Sequence, residues 1–190
     1  MNKGLSRERI VEVAEDLINK KGYSHLSMRE LAKELDVKAS SLYKHINNID
    51  ELKALVGMKV LSNLNYEIVN CDNTENPKEK LFQIASLYRT FTKRNPELYK
   101  TLNEIPSLKN DELLREAKEF IHGLFVAAEG LASTDNEKIH IYRGMRSIMH
   151  GFISLEEMGF FQNDVDIEES YQYMIKTFIN SLEENYEKNN

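Results

Sequence analysis

The chain has 190 residues, 41% of them hydrophobic and 29% charged, with a formal net charge of −6. That composition excludes a disordered or fibrous chain, and the length allows one helical domain with a small satellite, or two small domains. With no apolar run long enough to cross a bilayer, no signal-peptide core ahead of the first helix and a single cysteine, Cys71, the expectation is a cytoplasmic protein with no membrane partner and no internal disulfide.

Ile10, Val13, Ala14, Leu17 and Ile18 repeat at the spacing of one buried helical stripe, which predicts a first helix from Arg7 to Lys21. Gly22 suits a left-handed cap at its end. Ser27 and Glu30 then form a Ser-x-x-Glu capping box, in which the serine oxygen takes a first-turn amide and the glutamate reaches back to the cap amide. A second helix therefore starts at Met28, with Leu31, Ala32 and Leu35 inward and Arg29, Glu30, Lys33 and Glu34 towards water. Asp36 and Val37 carry a turn into a third helix, Ala39 to His45.

In that third helix Leu42, with Ile46 after it, can face a core, which leaves Lys38, Ser40, Ser41, Tyr43, Lys44 and His45 outside. Small serines let a helix backbone approach a groove, and lysines neutralise phosphates or meet a guanine edge. Two short helices, a tight turn and this outer face are the parts of a helix-turn-helix with its recognition helix. Lys38, Ser40 and Ser41 are the candidates for base contact or close groove approach, and Ser27, Arg29, Tyr43, Lys44 and His45 for phosphate. The overall negative charge does not oppose this reading. Residues 1–55 carry ten Lys or Arg and nine Asp or Glu, a balance of +1 that leaves −7 for the remainder, and duplex binding depends on where cations converge.

The run from Arg7 to Val56 resembles the DNA-binding domain of the TetR family of bacterial transcription regulators. The resemblance is carried by Lys21-Gly22-Tyr23, by Leu26-Ser27-Met28-Arg29-Glu30-Leu31-Ala32, and by Ser41-Leu42-Tyr43-Lys44-His45-Ile46. It implies a non-enzymatic regulator without a cofactor, usually a repressor, that binds a near-palindromic double-stranded operator as a homodimer and is released by a small-molecule effector. In that family a lysine often opens the next helix and holds a phosphate. Here the position is Ile49, which leaves Lys44 or Lys53 to make the contact.

Asn48 and Glu51 form another capping box, opening a connecting helix with Leu52, Leu55, Val56, Val60, Leu61 and Leu64. Pro77 suits the first turn of a helix that runs to Arg94. Asn95-Pro96 restarts a short helix with Leu98, Tyr99 and Leu102, and a further one is expected from Asn110 to Leu131. Capping boxes at Thr134/Glu137 and Asp166/Glu169 open the last two long helices. No stretch alternates with period two, so the fold class is all-α: a three-helix DNA-binding domain over 1–50 and a helical effector-binding and dimerisation domain over 51–190.

The segment Arg143 to Phe160 is similar to one C-terminal domain type of TetR regulators, marked by a Trp-His-Gly triplet, with Met149 in place of the tryptophan before His150 and Gly151. The resemblance implies a dimer interface in which the last two helices pair with their copies, with Gly151, Phe152, Leu155, Tyr171, Met174 and Phe178 as candidates. It also implies an effector pocket among the middle helices. Candidate lining residues are Met58, Leu61, Tyr66, Phe82, Tyr88, Phe91, Phe120, Phe125, Met145 and Met149. One enzyme-like alternative is a di-metal carboxylate site built from Glu119/His122 and Glu137/His140, two Glu-x-x-His spacings on consecutive helices, and it requires all four to point into a dry centre.

Overall fold

The computed structural model describes residues 4–70, 74–107 and 126–189, and every regular element among them is helical. The elements are α1 (Arg7–Lys21), α2 (Met28–Glu34), α3 (Ala39–Leu42), α4 (Ile49–Val69), α5 (Pro77–Arg94), α6 (Pro96–Tyr99), α7 (Asp135–Glu157) and α8 (Ile167–Asn189). Short 3-10 turns occupy Tyr23–His25 and Lys100–Ser107. No helix among the described residues is long and apolar enough to cross a membrane. Cys71 and nearly all of the helix expected from Asn110 to Leu131 lie outside the described residues.

The chain divides into two compact units: Met1–Asn63 with Thr92–Lys118, and Leu64–Phe91 with Glu119–Asn190. In the first, α1 buries Ile10, Val11, Val13, Ala14, Leu17 and Ile18, the stripe expected from its spacing. Leu26, Met28, Leu31, Ala32, Leu42, Ile46 and Leu52 complete the core of the head. The 96–107 segment packs in the same unit, burying Leu98, Tyr99 and Leu102. Helix α4 is buried on most of its circumference from Leu52 to Leu61, so it is an enclosed helix without one wet face. Gly57 lies where a Cβ would come within 2.5 Å of the Thr101 carbonyl oxygen, so the close approach there requires glycine.

In the second unit the core is Leu81, Ile84, Ala85 and Tyr88 of α5, Ile141, Met145, Met149, Phe152 and Ile153 of α7, and Tyr171, Ile175 and Ile179 of α8. The Tyr171 hydroxyl donates to the Ala85 carbonyl at 2.9 Å. Arg89, only 2% exposed, is enclosed with it. Its guanidinium binds both oxygens of Glu156, takes Glu168 at 3.2 Å through Nε, and lies 5.4 and 5.0 Å from the ring centres of Phe152 and Tyr171. Burial works against its charge, and the bonds to Glu156 and Glu168 outweigh it, holding the group above its ordinary value.

Local signals place the helix starts. Ser6 caps α1 through the Arg9 amide, and Thr134 and Glu137 form a complete capping box on α7. Three expected boxes are only half made: at the start of α8 Asp166 accepts the Glu169 amide at 2.8 Å, and at the other two a cation intervenes. Ser27 accepts the Glu30 amide at 3.2 Å, but the Glu30 carboxylate turns to Lys21 Nζ at 3.0 Å. Asn48 accepts the Glu51 amide at 2.8 Å, while Glu51 takes the Asn47 amide at 2.7 Å and the Arg7 guanidinium. In both cases a neighbouring cation, supplied by the fold, draws the glutamate away from the cap amide. Gly22 also differs from expectation: its φ of 90° with ψ of 156° requires glycine but is not a left-handed helical cap.

Candidate nucleic-acid interface

Helix α2 ends in a Schellman turn. The Val37 amide reaches back to the Ala32 carbonyl at 3.0 Å and the Asp36 amide to that of Lys33 at 3.2 Å. Asp36 holds the left-handed position, φ 53°, usually given to glycine; a short acidic side chain tolerates it better than a branched one. That reversal sets α3 across α2. The α-helical part of α3 is shorter than expected, Ala39–Leu42, and residues Tyr43 to His45 form a tightened turn. The cause is Ile46, 1% exposed, which returns the chain to the core while the Leu42 carbonyl accepts the amides of both His45 and Ile46.

With Leu42 and Ile46 anchoring the segment, Lys38, Ser40, Tyr43 and Lys44 are exposed, and Ser41 and His45 are half-buried beside them. Arg29 is exposed on α2. Ser27 Oγ is occupied as the α2 cap acceptor, which leaves its O–H proton to donate. The structure thus gathers the eight candidate residues onto two adjoining elements.

The cations of this unit fall into two sets. Arg7 is paired with Glu51, Arg9 with Glu12, Lys20 with Glu34, Lys21 with Glu30, Lys59 with Glu15 and Lys100 with Glu97. Lys21 holds the Glu30 carboxyl below the usual carboxylate range, and the Lys20 and Lys21 pairs tie α1 to α2. Arg29, Lys33, Lys38 and Lys44 of the helix-turn-helix, by contrast, make no ion pair with a carboxylate among the described residues. Ile49, at the start of α4, offers no charge, and Lys53 places its ammonium 4.7 Å from the centre of the Tyr23 ring.

Residues 10–54, which span α1 to the first turns of α4, match the family model described as bacterial regulatory proteins, tetR family. Residues 81–178 match the model described as tetracyclin repressor-like, C-terminal domain, which by itself covers more than half of the chain. The chain belongs to the TetR family of bacterial transcriptional regulators. Among relatives of this regulator is the uncharacterized HTH-type transcriptional regulator YobS of Bacillus subtilis, 27% identical over 179 residues, covering 94% of this chain and 93% of that one. The fold is shared with Streptomyces coelicolor ActR, solved in complex with (S)-DNPA, at a TM-score of 0.76 and 18% identity over 96% of this chain and 99% of that one. It is also shared with a TetR variant of Acinetobacter baumannii, solved in complex with minocycline, at a TM-score of 0.74 and 15% identity over 95% and 97% of the two chains.

The other candidate residues of this TetR-family chain are placed unevenly. Met58, Leu61, Tyr88, Met145 and Met149 are buried, and Phe82 and Phe91 are half-buried. Tyr66 is 71% exposed and so lines no interior chamber of the protomer, because its position on α4 turns away from the buried side. Phe120 and Phe125 lie outside the described residues. Of the expected interface set, Phe152 and Tyr171 are committed to the protomer's own core, their rings packed edge to face at 5.3 Å beneath Arg89. Phe178 is half-buried against Gly144, whereas Gly151 has open space beside it and Leu155 and Met174 are exposed. Met158 and Tyr173, on the same two helices or just beyond them, are also exposed, at 63% and 72%. For the di-metal alternative, Glu119 and His122 lie outside the described residues, His140 is exposed, and the Glu137 carboxylate is occupied as the α7 cap, accepting the amides of Ser133 and Thr134.

Proposed function

We propose that this regulator is a ligand-released repressor that acts as a homodimer on a near-palindromic duplex operator. The observation that carries the reading is the set of exposed cations at the helix-turn-helix, Arg29, Lys38 and Lys44, which with Lys33 have no carboxylate partners among the described residues, while Arg7, Lys20 and Lys21 are paired. Such unpaired cations can neutralise phosphates and so release the counterions condensed on the DNA. Lys38, Ser40 and Ser41 approach base edges, and Ser27, Arg29, Tyr43, Lys44 and His45 hold the backbone on either side. Lys44 takes the place of the lysine absent at Ile49, since Lys53 is engaged with Tyr23. The protein works in the cytoplasm, where the operator is, and carries out no catalysis.

Residues 1–50 act as the reader and residues 51–190 as the effector-binding and dimerising part. Two readers joined across a two-fold axis address half-sites about 34–36 Å apart. The exposed Leu155, Met158, Tyr173 and Met174, with Gly151 allowing close helix approach, supply the partner surface. A small molecule held among Tyr88, Met145 and Met149 of the second unit releases the operator only if it fits the released arrangement better, by about 1–3 kcal/mol in ordinary couplings. The structural neighbours solved with (S)-DNPA and with minocycline support a ligand of that general kind, a small organic molecule.

Selection of random duplex DNA by the purified protein, followed by sequencing of what is retained, tests the reading. The expected result is an enriched inverted repeat. No enrichment at low salt would overturn it.

A further inference from the structure

Helix α7 turns Ile141, Met145, Met149, Phe152 and Ile153 into the protomer's core, and its opposite side is the more exposed one. The middle of that side is small: Ser147, Gly151 and Ser154 follow at about one-turn intervals, and a Cβ on Gly151 would meet nothing within 4 Å. The edges differ in character. Arg146 and Glu157, both exposed, are separated by about three turns of 3.6 residues, so they share one edge. Ile148, half-buried, and Leu155, 41% exposed, share the other. Arg146 Nη1 donates to the Tyr142 hydroxyl at 3.4 Å and makes no ion pair with a carboxylate among the described residues.

A second α7 can lie on this face in two directions. In a parallel pair opposite edges meet, so Arg146 and Glu157 of each copy would lie against Ile148 and Leu155 of the other. In an antiparallel pair crossing at Gly151, each edge meets its own counterpart in reverse. Arg146 of each copy then stands beside Glu157 of the other, Ile148 stands beside Leu155, and the small residues between them let the helices close. Such a contact is isologous, so every pair is made twice. Ion pairs at the rim of an interface select the partner more than they tighten it, because a mismatched chain brings like charges together.

We propose that the homodimer forms by antiparallel pairing of α7 with its own copy about Gly151, with reciprocal Arg146–Glu157 ion pairs that make a second copy of this chain the preferred partner. The inference rests on the homodimeric reading given above, which names the surface; the charge pattern adds the direction, the register and the selectivity.

The test is the dimer dissociation constant of the full-length protein at low salt, measured by sedimentation. Arg146→Glu and Glu157→Arg each bring like charges together at two places per dimer and should weaken dimerisation by about tenfold or more. The two variants mixed should form a heterodimer within about threefold of the wild-type affinity, since every pair is again of opposite sign, and so should a chain carrying both changes. Direction is read separately, by oxidising single-cysteine variants of a Cys71→Ser chain: Ser147→Cys mixed with Ser154→Cys should cross-link, and neither should cross-link alone. That measurement decides should a reversal variant fail to fold. Reversals that leave the dimer unchanged, or that weaken it without rescue on mixing, overturn the pairing, and so does cross-linking of Ser147→Cys with itself. A wild type that is monomeric at every concentration overturns the homodimeric reading, and the pairing with it.

Discussion

Lys44 is the single cation on which the phosphate assignment turns, because it is exposed, lacks a carboxylate partner among the described residues and stands near the uncharged Ile49. Replacing it with alanine should weaken selected and random duplexes by the same factor and lower the salt slope of binding by about 1. Ser41→Ala should instead change the ranking of operator variants; equal losses on specific and random DNA would remove Ser41 from the base-contacting set. His150 gives a separate expectation in the other unit. Burial, helped by the positive Arg146, pushes its imidazole below the ordinary value, so the folded chain takes up that proton later than the unfolded one. Stability should therefore be fully present above the unfolded value of about 6.5 and be lost as pH falls towards the lower folded value. Urea denaturation at pH 7.5 and 5.5 should show a larger acid loss in wild type than in His150→Gln, and identical losses would count against it.

At the scale of elements, two helices carry a glycine against a neighbour, but the neighbours differ in what can give way. A Cβ at Gly57 of α4 would meet backbone, the Thr101 carbonyl oxygen at 2.5 Å and carbon at 3.1 Å. A Cβ at Gly144 of α7 would meet the tip of the Phe178 ring, at 2.5 and 2.8 Å. Alanine in a helix gains about 1 kcal/mol over glycine before any clash. Gly144→Ala should then be near neutral, since a ring edge can swing, while Gly57→Ala should cost about 1–3 kcal/mol through backbone displacement. Equilibrium urea unfolding of the two variants would separate them, and equal effects would mean that the 96–107 segment yields more readily than its packing implies.

For the whole molecule, the partner surface proposed on α7 and α8 would decide whether two heads act together. Leu155→Glu combined with Met158→Glu, at side chains 41% and 63% exposed, should leave the protomer folded and shift sedimentation to the monomer. The variant should keep single half-site binding and lose the gain from two sites; an unchanged dimer would move the interface elsewhere. What the sequence alone determined was most of the local structure. Stripe spacing in α1, the capping residues Ser27, Asn48 and Thr134, and the small cationic face after Val37 act within one or two turns, so they can be read without knowing neighbours. The family resemblance rested on those same local residues, and the matches over 10–54 and 81–178 agree with it. What only the tertiary structure decided was partnership at a distance. Glu30 and Glu51 leave their boxes for Lys21 and Arg7, Glu97 reaches Tyr23, and Phe152 and Tyr171 pack against Arg89 in the protomer's own core. The physical reason is that a carboxylate or a ring takes the best partner within a few ångströms, and only the folded chain says which partners those are.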